Sequence, residues 1–245
     1  MSFEKWLTFK DNVFTYFAIQ LKEPNWAGKD ILDFGGNIGN ILLDSNCTIE
    51  EERYWCIDVI KAAIEKGRQT TPKAHFIHYN RYSFGFNPKG IKNLEIPQLD
   101  QRFDLILSYS VITHTKHLEL NEIVNHLRSL LKDNGKLAFT FMDHNHVSRP
   151  QFYKGNNLQS RIERYKPCEN VDALLKKAST ANWCTLVDET QLYTNHEDFH
   201  LSEEDQLKRY EVFYTVDYMQ SLFPTATILP PVNAESQHCC IIGPH

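Results

Sequence analysis

A glycine-rich turn directly after a short apolar run is the part of the sequence best suited to binding a ligand. The run Ile31–Phe34 is followed by Gly35, Gly36 and Gly39 within five residues. Glycine tolerates positive φ and has no side chain, so a ligand can approach the backbone of such a turn closely. Asp58 ends the next apolar run 23 residues after Gly35, where an open α/β sheet places a carboxylate that accepts hydrogen bonds from ribose hydroxyls. The two features together predict a ligand of the adenosine type.

Two adenosine-containing ligands compete for this turn. A dinucleotide needs the spacing Gly-x-Gly-x-x-Gly, so that the amides of the following helix reach the pyrophosphate. Here Asn37 and Asn40 occupy the third and sixth positions. S-adenosylmethionine has no phosphate, and Asp33 suits it because a carboxylate offsets an ammonium or sulfonium charge and repels a pyrophosphate. The turn therefore favours S-adenosylmethionine, with a nicotinamide-dependent oxidoreductase or epimerase as the alternative.

Short strand-like runs and helical patterns alternate through the first 143 residues, which predicts βαβ units and a mostly parallel sheet. Helices are predicted over residues 60–70 and 118–132. The predicted strands are Asp30–Phe34, Arg53–Asp58, Ala74–His78, Phe103–Ser108 and Lys136–Met142.

The pattern changes after residue 143, within what we take as one domain over 1–245. Residues 144–213 read as an inserted lid that packs over the sheet edge, with a short helix over 171–179. A helix over 215–223 and strands over 226–229 and 237–242 follow, and the short connection makes those two strands antiparallel. At the other end, residues 1–28 form a predicted N-terminal helical cover whose aromatic side chains face the ligand or the core.

The sequence resembles the class I S-adenosylmethionine-dependent methyltransferases over nearly its whole length. Residues 33–39 match the first motif of that family, Asp58 matches the acidic residue after the second strand, and residues 78–81 occupy the adenine-contacting turn. Residues 103–110 and 131–137 match the fourth strand and the approach to the fifth. Asn37 replaces the usual middle glycine and Asn80 the usual acid, although an amide oxygen still accepts from an adenine amine.

The resemblance implies a fold, an activity and a cofactor. The fold is a Rossmann-like, mostly parallel seven-stranded sheet with helices on both faces and an antiparallel C-terminal strand. The cofactor is S-adenosylmethionine, with S-adenosylhomocysteine as product. The residues that this resemblance and the turn assign to cofactor binding are Asp33, Gly35, Gly36, Asn37, Gly39, Asp58, Val59, Asn80, Arg81 and Ser108.

His114 is the candidate catalytic residue. It follows the fourth strand, beside which the transferable methyl should lie, and in the family such a histidine often faces the acceptor. An ordinary histidine pKa near ~6.5 suits proton abstraction at neutral pH. The alternative is that His114 only caps or packs against the helix over 118–132.

A second set of polar and aromatic residues is expected to contact the acceptor. Asp143, His144 and His146 follow the fifth strand at the same sheet edge. They also form a possible metal ligand set, but metal-dependent relatives carry an Asp after the fourth strand, where this chain has Ser108-Tyr109-Ser110, and no metal is expected. The predicted substrate-binding residues are Tyr109, His117, Asp143, His144, His146 and Tyr193.

The lid segment contributes aromatic residues, among them Trp183 and Tyr193, which predict an enclosed small-molecule or small-peptide acceptor of the natural-product kind. Methylation of oxygen is slightly favoured over nitrogen, because a histidine base matters more for a hydroxyl. A non-catalytic partner that binds S-adenosylmethionine is the remaining alternative.

Composition excludes other classes of partner. The 245 residues carry 26 Lys and Arg against 31 Asp and Glu, a net charge of −5, so the overall basic footprint of a nucleic-acid-binding protein is missing. The chain also lacks the Asn- or Asp-Pro-Pro-aromatic motif of enzymes that methylate bases. No apolar run approaches the ~18 residues of a membrane span, and the N-terminus does not read as a secretory signal. We therefore expect a cytoplasmic enzyme, with a homodimer as one expected assembly.

Overall fold

The computed structural model describes residues 12–83, 85–115, 117–144, 171–187, 191–194, 210–232 and 237–244. Six α-helices lie in these ranges: α1 Val13–Leu21, α2 Asn40–Asp44, α3 Lys61–Thr70, α4 His117–Ser129, α5 Val171–Ala178 and α6 Val216–Leu222. The strands are β1 Ile31–Phe34, β2 Tyr54–Asp58, β3 His75–His78, β4 Phe103–Ser108, β5 Leu131–Asp143, β6 Trp183–Val187, β7 Gln191–Thr194, β8 Tyr210–Tyr214, β9 Thr227–Leu229 and β10 His238–Ile242.

A parallel sheet of order β3-β2-β1-β4-β5 forms the centre of the fold. Strand β10 runs antiparallel to β5 and pairs with β9, which is antiparallel to β10. These seven strands confirm the predicted Rossmann-like arrangement and its antiparallel C-terminal strand.

The sheet nevertheless has ten strands in the described residues, and the prediction of seven was too low. The other three, β8, β6 and β7, come from the segment predicted as a lid. β8 pairs in parallel with the last two residues of β5, beyond the part of β5 that β10 covers. β6 then runs antiparallel to both β8 and β7. β5 thus pairs with β10 over Leu137–Phe141 and with β8 at its last two residues.

Each face of the sheet is covered by helices, as the apolar alternation along the strands requires. In β1, Leu32 and Phe34 face a cluster that includes α4 and α6, whereas Ile31 faces a cluster with α1, α2 and α3. Helix α4 buries Leu120, Ile123, Val124 and Leu127 at helical spacing. Burial of four such side chains contributes on the order of 6–12 kcal/mol before entropy is counted, so the sheet and helices hold the strand ends in place.

The chain between α4 and β5 differs from its prediction. A helix over 118–132 was expected, but α4 ends at Ser129 and β5 begins at Leu131. Leu131 pairs with Phe103, and the next pair joins Lys136 to Leu105, so the intervening residues bulge out of register. Leu130 and Leu131 are buried but in the start of a strand, because a buried apolar pair fits either element.

Among the helices of the described ranges, none has the length and apolar character that a membrane crossing requires.

Candidate active site

A cleft opens at the carboxyl ends of β1, β2, β3 and β4. It encloses about 940 Å³ of non-atom space, including the part open to solvent, which is in the range of pockets that hold small molecules. Its lining comprises Phe34, Gly35, Asn37, Ile57, Asp58, Val59, Ile60, Tyr79, Arg81, Tyr82, Ser83, Phe86, Tyr109, Ser110, Val111, His114, Thr115, Glu119 and Ile123.

Gly35 opens the turn after β1 and requires glycine on two counts. Its φ is +83°, in the left-handed region, and a Cβ there would lie 2.2 Å from Cγ2 of Val111. Its N–H donates to the carbonyl of Ile57 at 2.7 Å, which ties the turn to β2. The turn therefore brings bare backbone to the cleft, as a glycine-rich ligand site requires.

Asp58 and Asn37 are joined at the floor of the cleft. Asn37 has φ 57°, and its N–H donates to Oδ2 of Asp58 at 2.8 Å. The N–H of Ile60 donates to Oδ1 of the same carboxylate at 2.7 Å. Burial raises the pKa of Asp58, and these backbone hydrogen bonds oppose that shift. Each oxygen keeps a second lone pair, so the carboxylate is fixed in place yet still able to accept from a ligand.

The amide oxygen of Asn37 is buried, and no group of the described residues donates to it. Leaving a buried acceptor unsatisfied costs about 1–3 kcal/mol. Since Asn37 lines the cleft, a ligand with an N–H or O–H donor beside it would remove that cost.

Asp33 lies beneath the glycine turn and does not line the cleft. Its side chain is 2% exposed and accepts a hydrogen bond from the hydroxyl of Tyr54 at 2.5 Å. Burial raises the pKa of Asp33 to about 7, the Tyr54 hydrogen bond lowers it in part, and the charge of Asp58 raises it further. In this structure its carboxylate meets Tyr54 and does not line the cleft, and its contact with the cofactor stays a prediction.

Replacement of Asp33 by asparagine is expected to stabilise the fold at pH 8 by about 2 kcal/mol. The raised pKa means that the contribution of Asp33 to stability is fully present below about pH 4 and is lost between about pH 4 and pH 7. In that range the carboxyl ionises in the unfolded state but stays protonated in the folded state. The full shift is equivalent to about 4 kcal/mol, and asparagine recovers part of it because its buried NH2 lacks a matched acceptor.

Urea unfolding of the Asp33→Asn variant at pH 5 and pH 8 measures this effect. The gain over wild type should be small at pH 5 and full at pH 8. An equal difference at both pH values would show that Asp33 is ionised throughout.

The segment after β3 folds back on itself beside the cleft. Asn80 accepts at Oδ1 from the side chain of Asn87 at 3.0 Å, and its carbonyl accepts from the N–H of Ile91 at 2.8 Å. Asn80 does not line the cleft, whereas its neighbours Tyr79 and Arg81 do. The predicted hydrogen bond from adenine to Asn80 stays a prediction; the amide oxygen accepts from Asn87 here and keeps a second lone pair.

His114 lies at the end of a short 3-10 helix, Ile112–His114, between β4 and α4. Its ring meets that of Phe86 edge to face, with centroids 5.3 Å apart and an interplanar angle of 64°. Both rings line the cleft. Ile112 and Thr113 are buried, so the packing of these two side chains fixes the backbone that carries His114.

Ser110 anchors the same loop through a closed set of hydrogen bonds that the sequence did not indicate. Its φ is 59°, and its N–H donates to Oγ1 of Thr140 at 2.7 Å. Thr140 in turn donates to Oε1 of Gln237 at 2.7 Å, and Nε2 of Gln237 donates to Oγ of Ser110 at 3.0 Å. The carbonyl of Gln237 accepts from Tyr16 in α1 at 2.7 Å. Residues from four separate parts of the chain thus hold one turn of the cleft.

Of the predicted substrate-binding residues, Tyr109 reaches the cleft. Tyr16 of α1 packs edge to face on it, with ring centroids 5.2 Å apart, so α1 does lie behind the cleft wall. His117 instead stacks on Trp183, with centroids 4.4 Å apart and an interplanar angle of 12°. The hydroxyl of Tyr218 lies 3.1 Å from its Nε2. His117 thus packs on Trp183 and does not line the cleft, and its contact with the acceptor stays a prediction.

Asp143 and His144 lie at the end of β5 and outside the cleft lining. His144 is buried, with Nδ1 3.7 Å from Sγ of Cys184, and burial lowers its pKa, with the charge of Asp143 opposing. Tyr193 belongs to β7, and His146 lies outside the described residues. Within the described part of the chain, no three His, Cys, Asp or Glu side chains are placed to hold a metal ion together. Substrate contact by this group stays a prediction.

The cleft thus unites Gly35, Asn37, Asp58, Val59, Arg81, Tyr109 and His114 from the predicted set. The predicted site residues that lie outside its lining are Asp33, Gly36, Gly39, Asn80, Ser108, His117, Asp143 and His144. Gly36 and Gly39 belong to the turn after β1 without lining the cleft. Ser108, at the end of β4, is fully buried. Tyr82 and Phe86 were missed, because the loop that carries them has neither helical nor strand periodicity.

Comparison with known proteins shows that the chain is similar to methyltransferases in sequence and in fold. A family model described as a methyltransferase domain matches residues 32–137. A structure of an S-adenosylmethionine-dependent methyltransferase from Clostridium acetobutylicum is similar over 100% of this chain and 92% of its own, with TM-score 0.55 and 11% identity.

Two further structures are similar over nearly the whole chain. The glycopeptide N-methyltransferase MtfA complexed with S-adenosylmethionine gives TM-score 0.54 and 8% identity over 97% of this chain and 96% of its own. DesVI from Streptomyces venezuelae gives TM-score 0.55 and 8% identity over 99% and 97%. At these identities the likeness shows a shared fold. No curated protein matches the chain by sequence.

Proposed function

We propose that this chain is a class I S-adenosylmethionine-dependent methyltransferase, whose cleft binds S-adenosylmethionine beside a small organic acceptor and transfers its methyl group to a hydroxyl. The observation that carries the proposal is the convergence of Asp58, the Gly35 turn and His114 on one cleft.

The residues of the cleft fit the cofactor. Asp58 is the acceptor for the ribose hydroxyls, since its carboxylate is oriented by two backbone N–H groups and keeps free lone pairs. Asn37 offers a buried amide oxygen in need of a donor, which suits an ammonium or hydroxyl group. The apolar edges of Val59, Ile60 and Tyr79 supply contact area for adenine.

When bound, S-adenosylmethionine supplies a methyl group on a sulfonium that is already activated for displacement. The tasks of this chain are therefore alignment of the acceptor, exclusion of water and removal of a proton. His114 faces the cleft with Phe86 and is the group proposed to take the acceptor proton. The hydrogen bonds of Ser110 fix the loop that carries His114, which limits the movement of the backbone to which the imidazole is attached.

The acceptor is proposed to be a small molecule or a small modified peptide, enclosed in part by residues 144–213. MtfA is described as a glycopeptide N-methyltransferase. A screen for the acceptor of this chain should therefore include amines as well as hydroxyl compounds. Single-domain organisation over 1–245 and dimer formation remain parts of the proposal that size measurements in solution can test.

Calorimetry distinguishes the proposed cofactor from the nicotinamide alternative. The protein should bind S-adenosylhomocysteine and show no heat with NAD, because the turn lacks the glycine spacing that brings helix amides to a pyrophosphate. Tight NAD binding without a response to S-adenosylhomocysteine would overturn the proposal.

A second experiment addresses the acceptor. Metabolite extracts incubated with the enzyme and a labelled methyl donor, followed by mass analysis, identify the product and whether oxygen or nitrogen carries the methyl group. Methylation of nucleic acid or of large proteins alone would exclude the small-acceptor proposal. Cofactor binding without any transfer would instead favour the non-catalytic alternative.

A further inference from the structure

The loop of residues 79–94 forms one wall of the cleft, through Tyr79, Tyr82 and Phe86. Backbone hydrogen bonds join residues within this loop. Tyr82 N–H donates to the carbonyl of Ile91 at 2.9 Å, and Ser83 N–H donates to the carbonyl of Asn87 at 3.1 Å. Such a loop needs external contacts if it is to keep a fixed distance from the opposite wall of the cleft.

Arg81 supplies the charged contacts of this loop with α4, in addition to the ring contact between Phe86 and His114. Its guanidinium donates to Glu122 of α4 at 2.8 Å and to Glu119 at 2.5 Å. The same group donates to the hydroxyl of Tyr79 at 3.0 Å and to the carbonyl of Leu94 at 3.1 Å. The side chain is only 10% exposed. One buried cation therefore joins both ends of the loop to helix α4.

The arrangement depends on the shape of the arginine head group. Five N–H donors on a planar fork reach two carboxylates, a hydroxyl and a carbonyl at once, whereas a lysine ammonium is a point charge with three donors. Charge-assisted, fork-type hydrogen bonds of this kind are short and geometrically specific. Helix α4 also begins three residues after His114. The contacts of Arg81 with α4 therefore fix the 79–94 loop relative to the part of the cleft where the acceptor is proposed to bind.

We propose that Arg81 is a positioning residue, which sets the affinity for adenosine by latching the 79–94 loop to Glu119 and Glu122 instead of by bonding to the cofactor itself. The inference rests on the proposed function, in that the cleft is taken to hold the adenosine of S-adenosylmethionine. The guanidinium is already committed to protein acceptors, while the loop that it holds provides the aromatic wall.

The test uses calorimetry with S-adenosylhomocysteine and with adenosine on the full chain. Arg81→Met should weaken both ligands by about 10- to 100-fold, the range of a typical coupling free energy between two sites. Arg81→Lys should restore little, because the ammonium cannot span both carboxylates. Arg53→Met is the matched control: Arg53 pairs with Asp30 and Glu50 at the amino edge of the sheet, and its loss should lower the melting temperature without changing either affinity.

A double-mutant cycle separates latching from direct contact. Glu122→Gln should weaken S-adenosylhomocysteine several-fold, and adding it to Arg81→Met should cost nothing further, because the two residues act through one contact. Full additivity of the two losses, or a folded Arg81→Met variant with wild-type affinity, would overturn the proposal. Should Arg81→Met fail to fold, Glu122→Gln alone carries the test.

Hydrogen exchange of the ligand-free proteins keeps this inference separate from the proposed function. Exchange over residues 79–94 should rise in Arg81→Met and stay unchanged in Arg53→Met. If the wild-type protein binds no S-adenosylhomocysteine, the proposed function fails, and unchanged exchange over this loop would refute the latch as well.

Discussion

Replacement of His114 by alanine is expected to lower the rate of methyl transfer by about 10²- to 10⁴-fold, the usual contribution of a general base. The side chain faces the cleft beside Phe86, whereas the residues proposed to hold adenosine lie on β1, β2 and the loop after β3. Affinity for S-adenosylhomocysteine should therefore change little. The loss should shrink as pH rises, because a hydroxyl acceptor then ionises without help.

Steady-state rates of His114→Ala across pH, with the acceptor found in the screen, measure this effect. His75→Ala is a suitable control, since His75 lies at the amino end of β3, stacked on Trp55, far from the strand ends that form the cleft. Unchanged turnover in His114→Ala would reduce the residue to its packing role at the head of α4. A rate loss that higher pH does not rescue would indicate that His114 orients an acceptor that is already ionised.

Removal of the Asp58 carboxylate is expected to weaken S-adenosylhomocysteine binding by roughly 10²- to 10³-fold. Hydrogen bonds to a charged group contribute about 1.5–3 kcal/mol each, and a ribose offers two hydroxyls. Asp58→Ala also frees the N–H groups of Asn37 and Ile60, which now lose their common acceptor. Asp58→Asn, which keeps the shape and one acceptor oxygen, should lose less.

Calorimetry with the Asp104→Ala variant as control distinguishes a site effect from a loss of stability. Asp104 likewise accepts a backbone N–H, from Asp30, and pairs with Lys132, but it lies at the amino end of β4. Comparable losses of affinity in both variants would show that the fall reflects destabilisation and not the ribose contact. Because burial raises the pKa of Asp58, wild-type affinity should also fall on acidification sooner than for an ordinary aspartate.

The central sheet was predictable because short apolar runs alternate with helical patterns along this part of the sequence. The positions of Gly35 and Asp58 followed from that pattern, and the structure brings both to one cleft. The three strands β6, β7 and β8 were not predicted. Their antiparallel pairing with one another and the parallel pairing of β8 with the end of β5 depend on contacts between distant segments, which no local period reveals.

Side-chain direction limited the prediction of the site. Asp33 was expected to face the ligand, yet alternation along β1 turns it to the opposite face, where Tyr54 meets it. Arg81 was placed at the cofactor by its position after β3, and the structure shows the carboxylates of α4 that engage it. In both cases the partner that orients the side chain comes from another element: Tyr54 of β2 for Asp33, and the carboxylates of α4 for Arg81.

The hydrogen bonds around Ser110 also bear on the order in which the protein folds. Gln237 lies 127 positions after Ser110 and 221 positions after Tyr16, so these contacts have a very high sequence separation. Contacts of this kind form late, since the loop-closure entropy must be overcome before they contribute. During synthesis, β1 to β5 can assemble while the turn beside His114 still lacks its partner. The polypeptide should therefore pass through a state with a nearly complete sheet and an unanchored Ser110 turn, and this turn of the cleft is complete only when Gln237 has docked.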